Sequence, residues 1–286
     1  MESATGAGAM TGNEFEQIQR ANDIGLQPVV FVHGLWLLPN SWERWAAFFE
    51  SLGYVAVVPG WPDDPETVGD ANAHAEVLAN KTIGQIADYA ERIVRRLNRK
   101  PALVGHSFGG LIVQILAGRG LSAATVAISP APFRGVLPLP ASSIKSGWPV
   151  LKNPANRHRA VALSFEQFQY GFANAVSQHE AQDLYESFAV PGPGAPLFQA
   201  ASANLNPWTE AQVNTENPDR GPMLIISADE DHTVPVAVSE AAFDQQKQNI
   251  GITEYVEMHD RGHALTIDHG WRYVAETALG FIRRFV

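Results

Sequence analysis

Gly105-His106-Ser107-Phe108-Gly109-Gly110 stands between two apolar runs, Pro101-Ala102-Leu103-Val104 before it and Leu111-Ile112-Val113-Gln114-Ile115-Leu116-Ala117 after it. The first run is short enough for a buried strand and the second long enough for a helix, so the chain must reverse sharply across the glycines. Small residues on either side of a serine allow that reversal and hold one hydroxyl clear of both elements. Ser107 is therefore the candidate nucleophile.

Working outward, Pro28-Val29-Val30-Phe31-Val32-His33 ends at Gly34, and Tyr54-Val55-Ala56-Val57-Val58 ends at Pro59-Gly60-Trp61-Pro62. Continuous apolar runs of this length are the pattern of strands buried on both faces. Between them Trp42, Trp45, Phe49 and Leu52 recur at helical spacing, with Asn40 or Ser41 as a cap and Gly53 as a terminator. Ile83, Ile86, Ala90, Ile93 and Leu97 form a second helical stripe, and Arg92, Arg95, Arg96 and Arg99 read as its solvated face near the C-terminal end of the dipole. Residues 61–81 are a polar, proline-marked loop without an assigned element. Ala124 to Ile128 adds a further strand.

This alternation predicts an α/β fold, a mostly parallel sheet covered by helices on both faces. The rhythm breaks after Pro130. Prolines and aromatics crowd residues 133–206, with no strand-like runs, and this stretch reads as an inserted, mainly helical cap whose best helices are Glu166 to Val176 and His179 to Ala189. Alternation then resumes with a strand from Pro222 to Ile226, a helix from Val236 to Lys247, a strand from Glu254 to Met258 and a closing amphipathic helix from Trp271 to Phe285. The expected organisation is a flexible tail over residues 1–23, a core built from 24–132 and 207–286, and the cap over 133–206.

A chain of 286 residues with 45% hydrophobic residues can bury one large core. Its formal charge of −10 argues against nucleic acid or an anionic membrane as a partner, and favours a neutral small molecule. There is no cysteine, so neither a disulfide framework nor a thiolate metal site is available. The first thirty residues lack a basic start followed by an apolar stretch, and no uninterrupted apolar run reaches the ~18 residues of a membrane span; a cytoplasmic protein is expected.

A serine hydroxyl is a weak nucleophile unless a base takes its proton and a third group orients that base. In a parallel sheet such groups collect at the carboxyl ends of strands. Two segments qualify: Ala228-Asp229-Glu230-Asp231-His232-Thr233-Val234-Pro235, and His259-Asp260-Arg261-Gly262-His263-Ala264. His259 and His263 share the spacing of a zinc pair, but the HExxH pattern requires Glu at 260 and an unbroken helix, where Asp260 and Gly262 stand. No metal is expected.

In this order of serine, acid and histidine the chain resembles the α/β-hydrolase family over about residues 28 to 286. The resemblance implies Ser107 as nucleophile, Asp231, ahead of Thr233-Val234-Pro235, as the acid, and His263, in its Gly262-His263 step, as the base. Asp229 and Glu230 compete for the acid role and His259 for the base. Leu35, in His33-Gly34-Leu35-Trp36, and Phe108 match the family's two oxyanion-hole donors. His106 reads as packing beneath the turn. The chain departs from many family members in carrying Ala228 in place of glycine beside three crowded acids, which should raise one another's pKa.

The implied activity is cofactor-free hydrolysis of a neutral hydrophobic ester or lactone through an acyl-enzyme. The same triad serves perhydrolases, haloperoxidases and ligand-binding receptors that keep a vestigial site, whereas a serine at 107 excludes the dehalogenases that use an aspartate nucleophile. Trp36, Phe133, Trp148 and Trp208 are expected to wall a pocket for a bulky or aromatic substrate; packing of the cap's own core is the competing reading.

Overall fold

The structure, a computed structural model, describes residues 8–286. Six strands form one parallel sheet in the order β2-β1-β3-β4-β7-β8, where β1 is Gln27–Val32, β2 Tyr54–Val57, β3 Ala102–His106, β4 Ala124–Ile128, β7 Met223–Ala228 and β8 Thr253–Met258. Their apolar runs are continuous because both faces are covered. In β1, Val30 and Val32 enter one core with α4 (Ile83–Val94) and α5 (Phe108–Gly118), while Val29 and Phe31 enter the other with α2 (Glu43–Glu50) and α11 (Trp271–Ile282). The α/β fold with helices on both faces is thus the observed one. Among the described residues no helix is long and apolar enough to cross a membrane.

The flexible tail expected over residues 1–23 needs correction. Residues 1–7 lie outside the described residues, but α1 (Gly12–Ile24) is a helix closed by a Thr11/Glu14 capping box and a left-handed Gly25. Its apolar stripe is thin; polar side chains hold it instead. Arg20 donates to Ala56 O (3.0 Å), and Gln17 Oε1 accepts from Val58 N (2.7 Å), so α1 covers the free edge of β2. Two of the arginines expected on the solvated face, Arg96 and Arg99, lie past the end of α4 and also touch α1: Arg96 lies over the Phe15 ring and Arg99 donates to Gly25 O.

Residues 61–81, a loop without an assigned element in the sequence reading, hold α3 (Val68–Ala73) and a short 3-10 turn. Leu52, expected in the apolar stripe of α2, is exposed beyond its end. Residues 133–206 contain α6 (Ala141–Leu151), α7 (Phe165–Gly171), α8 (Gln178–Phe188) and α9 (Ala195–Ser202). They also form a two-stranded antiparallel ribbon of β5 (Ala160–Val161) and β6 (Gly192–Pro193), too short for any sequence period to register. α6 runs through Pro149, which supplies no N–H to the helix. After the cap, α10 (Val236–Gln246) links β7 to β8.

Candidate active site

β3 delivers Ser107 at its carboxyl end, and α5 begins at the next residue. Ser107 has φ 56° and ψ −120°, a sparsely populated region that costs roughly 1–3 kcal/mol and persists only when its surroundings enforce it. They do so here. Ser107 N donates to Ile128 O (2.9 Å), and its carbonyl accepts from Leu111 N and Ala131 N. The glycines make the close approach possible: a Cβ on Gly105 would lie 2.2 Å from Gly109 O, and one on Gly109 would lie 2.0 Å from Val32 O.

His263 Nε2 stands 2.9 Å from Ser107 Oγ, and His263 Nδ1 stands 2.7 Å from Asp231 Oδ2. With Nδ1 donating to the carboxylate, Nε2 is left to accept from the hydroxyl. The other carboxylate oxygen, Asp231 Oδ1, accepts from Thr233 N and Val234 N, each at 2.8 Å, so the turn after β7 locks its own acid. Ser107 is 3% exposed and His263 0%. The sequence therefore named three residues that the fold brings into one buried chain of hydrogen bonds.

The competitors lie elsewhere. Asp229 accepts from Arg261 N (3.3 Å) and pairs with exposed His259 (3.1 Å). Burial works against its charge, yet these bonds hold the carboxyl below its ordinary value, so the mutual elevation expected of the three crowded acids does not occur at this one. Glu230 is exposed. Among the described residues, Asp229, Glu257 and His259 bring one ligand atom each within 4.8 Å of one another, a grouping that could hold a cation. They lie toward the surface, where His259 meets Asp229, whereas Ser107 and Asp231 take up the two ring nitrogens of His263.

The two residues expected as oxyanion donors are Phe108, next to the serine, and Leu35, next to Gly34. Phe108 opens α5, so its N–H is one of those a helix leaves unpaired at its start. Leu35 is buried in the loop after β1, which touches the turn closely: a Cβ on Gly34 would lie 2.8 Å from Ser107 Cβ. The loop is braced from behind by a pair the sequence did not reveal. His33 Nε2 meets Asp64 Oδ2 at 2.9 Å, its Nδ1 meets Gly34 O at 2.9 Å, and its ring stacks on Trp61 at 5.1 Å. Asp64 was hidden because it falls in the stretch without a readable period. His106 packs on His263 with ring centroids 4.6 Å apart, and full burial followed by the nearby His263 holds it well below the usual histidine pKa.

The four expected pocket aromatics are not all brought together. Trp36 is buried, with φ 65°, donates to Val161 O at 2.9 Å and meets Phe172 edge-on at 6.0 Å; Phe133 is buried in the same apolar cluster. Trp148 lies on the outward side of α6, whose Ser146 and Gly147 take the buried side, and Trp208 is 87% exposed in a turn where its N–H bonds Asn206. An aromatic outside the expected set, Phe172, packs edge-on to His263 at 4.8 Å. It follows α7, and its carbonyl accepts from Ala264 N at 2.9 Å. No periodic signal in the cap sequence singles it out from Phe165 or Phe168.

Residues 29–277 match a family described as the alpha/beta hydrolase family. No curated protein matches the chain in sequence. Among solved structures, a monoacylglycerol lipase from Paleococcus ferrophilus is similar at TM-score 0.64 with 17% identity, over 91% of this chain and 95% of the other. An extracellular alpha/beta-hydrolase from a Paenibacillus species gives 0.62 with 20% identity, over 89% and 98%. A pyrethroid hydrolase gives 0.62 with 17% identity, over 91% and 98%. At these identities the likeness is one of fold.

Proposed function

The chain belongs to the alpha/beta hydrolase family, and on that premise we propose that it is a serine hydrolase that cleaves a neutral, hydrophobic carboxylic ester or lactone through an acyl-enzyme. The observation that carries this reading is the continuous bonding of Ser107 to His263 at 2.9 Å and of His263 to Asp231 at 2.7 Å.

Ser107 Oγ attacks the ester carbonyl carbon as His263 Nε2 takes its proton. The imidazolium that forms is stabilised by Asp231, and the Leu35 and Phe108 N–H groups hold the carbonyl oxygen as it becomes an oxyanion. Collapse of the tetrahedral adduct breaks the ester C–O bond, and His263 returns the proton to the departing alkoxide. Water, deprotonated by His263, then cleaves the acyl-enzyme and frees the acid and Ser107. Aromatic and aliphatic surfaces around the site, Phe172 and Leu35 above all, support an apolar substrate over a charged one.

Ser107→Ala should abolish turnover of a chromogenic aryl ester while leaving the circular dichroism spectrum unchanged. Retained turnover in that variant would sink the assignment.

A further inference from the structure

The cap carries a segment unlike the rest of the molecule. Between residues 134 and 159 the cations Arg134, Lys145, Lys152, Arg157 and Arg159 are all exposed and no Asp or Glu occurs, in a chain whose formal charge is −10. The same segment exposes large apolar side chains. Leu137 and Leu139, in the arm leading into α6, are 76% and 64% exposed, and Ile144 and Trp148 are 41% and 56% exposed. Ile144 and Trp148 are four residues apart and share one side of α6, where they line a groove of about 340 Å³ together with Lys145 and Lys152.

We propose that this face of the cap docks on an anionic lipid–water interface. Aliphatic and indole groups flanked by lysines suit a helix lying at the level of lipid headgroups, with the apolar groups entering the acyl boundary and the cations meeting phosphates. The overall charge, which from sequence argued against a membrane, here orients the molecule: the acidic excess lies outside the docking segment, so an anionic surface attracts the cap and repels the body. A second copy of the chain fits the face less well, because a symmetric dimer built on it would set cation against cation.

The opposite side of α6 leads inward. Ser146 Oγ lies 2.7 Å from Thr233 Oγ1, which donates to Gly171 O, the residue before Phe172. Docking therefore acts on a helix joined to the loop of Asp231 and, through Thr233, to the residue preceding Phe172. Vesicle binding is independent of the hydrolase reading and can be measured without turnover.

The test is cosedimentation of the full chain with vesicles of phosphatidylcholine alone and of phosphatidylcholine mixed with phosphatidylglycerol, at low and high salt. Retention is expected on the mixed vesicles and should weaken with salt. Leu139→Ser/Ile144→Ser and Lys145→Gln/Lys152→Gln should each lower it by roughly tenfold. Both variants should keep wild-type turnover of a water-soluble aryl ester, which shows that they fold. Absence of that turnover in the wild type would count against the hydrolase reading and leave the vesicle result intact. No retention on mixed vesicles, equal retention on both compositions, or retention that neither variant alters overturns the proposal. So does self-association in sedimentation equilibrium that Leu139→Ser/Ile144→Ser abolishes.

Discussion

Asp231 shows how a single residue becomes an acid partner rather than one of three adjacent carboxylates. Its Oδ1 is held by two backbone N–H groups, from Thr233 and Val234, which leaves only Oδ2 to face His263. The same donors would dictate how an amide sits at this position. In Asp231→Asn the side-chain oxygen keeps the two N–H bonds, so the NH2 group points at His263 Nδ1 and forces the imidazole to carry its proton on Nε2, against Ser107. A base with the wrong tautomer cannot accept the hydroxyl proton. Turnover of an aryl ester should therefore fall by about 10⁴-fold in kcat with the fold retained, whereas Asp229→Asn should stay within about threefold of wild type. Comparable losses in both would assign the acid role to the pair.

At the scale of elements, the junction of β7, α10 and β8 is held by one cation. Arg220 is fully buried, pairs with no carboxylate among the described residues, and donates to Gln246 O and Oε1, Ile252 O and Thr253 Oγ1 at 2.9–3.0 Å. Burial pushes its guanidinium down to about 10, so it remains charged at neutral pH. Gln246 ends α10, where unpaired carbonyls and the helix dipole favour a cation. This places β8 in register beside β7, and β8 leads into the loop of His263. Arg220→Met keeps the bulk and removes the donors. It should cost about 3 kcal/mol of stability, read from the urea midpoint, because buried carbonyls lose their partners. A loss below about 1 kcal/mol would mean water replaces the guanidinium.

For the whole molecule the decisive feature is closure. Ser107 and His263 are shut beneath the cap: Phe172 covers the histidine, and the cap's Gly192 approaches so closely that a Cβ there would lie 3.0 Å from Leu35 Cδ1. With Ser107 3% and His263 0% exposed, substrate entry is expected to require the cap to move. The chain has no cysteine, so Ser146→Cys/Thr233→Cys would introduce a single dithiol where the native hydroxyl oxygens are 2.7 Å apart. The oxidised protein should lose most of its turnover of a bulky aryl ester and regain it with a thiol reductant. Full activity while oxidised would show that entry does not require α6 to leave Thr233.

Local chemistry was enough to determine the sheet, its covering helices and the serine turn. Continuous apolar runs, helical stripes and a glycine-bounded serine each act through near neighbours in the chain, and the resemblance built on them named Asp231 and His263. The helix α1 escaped because polar bonds to a strand edge hold it, with only a thin apolar stripe to announce it. Asp64 escaped because its partner His33 is 31 residues away, and Phe172 because nothing in the chain separates it from the cap's other aromatics. The same limit applied to Trp148 and Trp208: their composition predicts a hydrophobic wall, but direction is set by packing, and packing turned both outward. Tertiary structure alone decided what covers Ser107 and which cap residues face water, since each depends on distances between segments that sequence order does not encode.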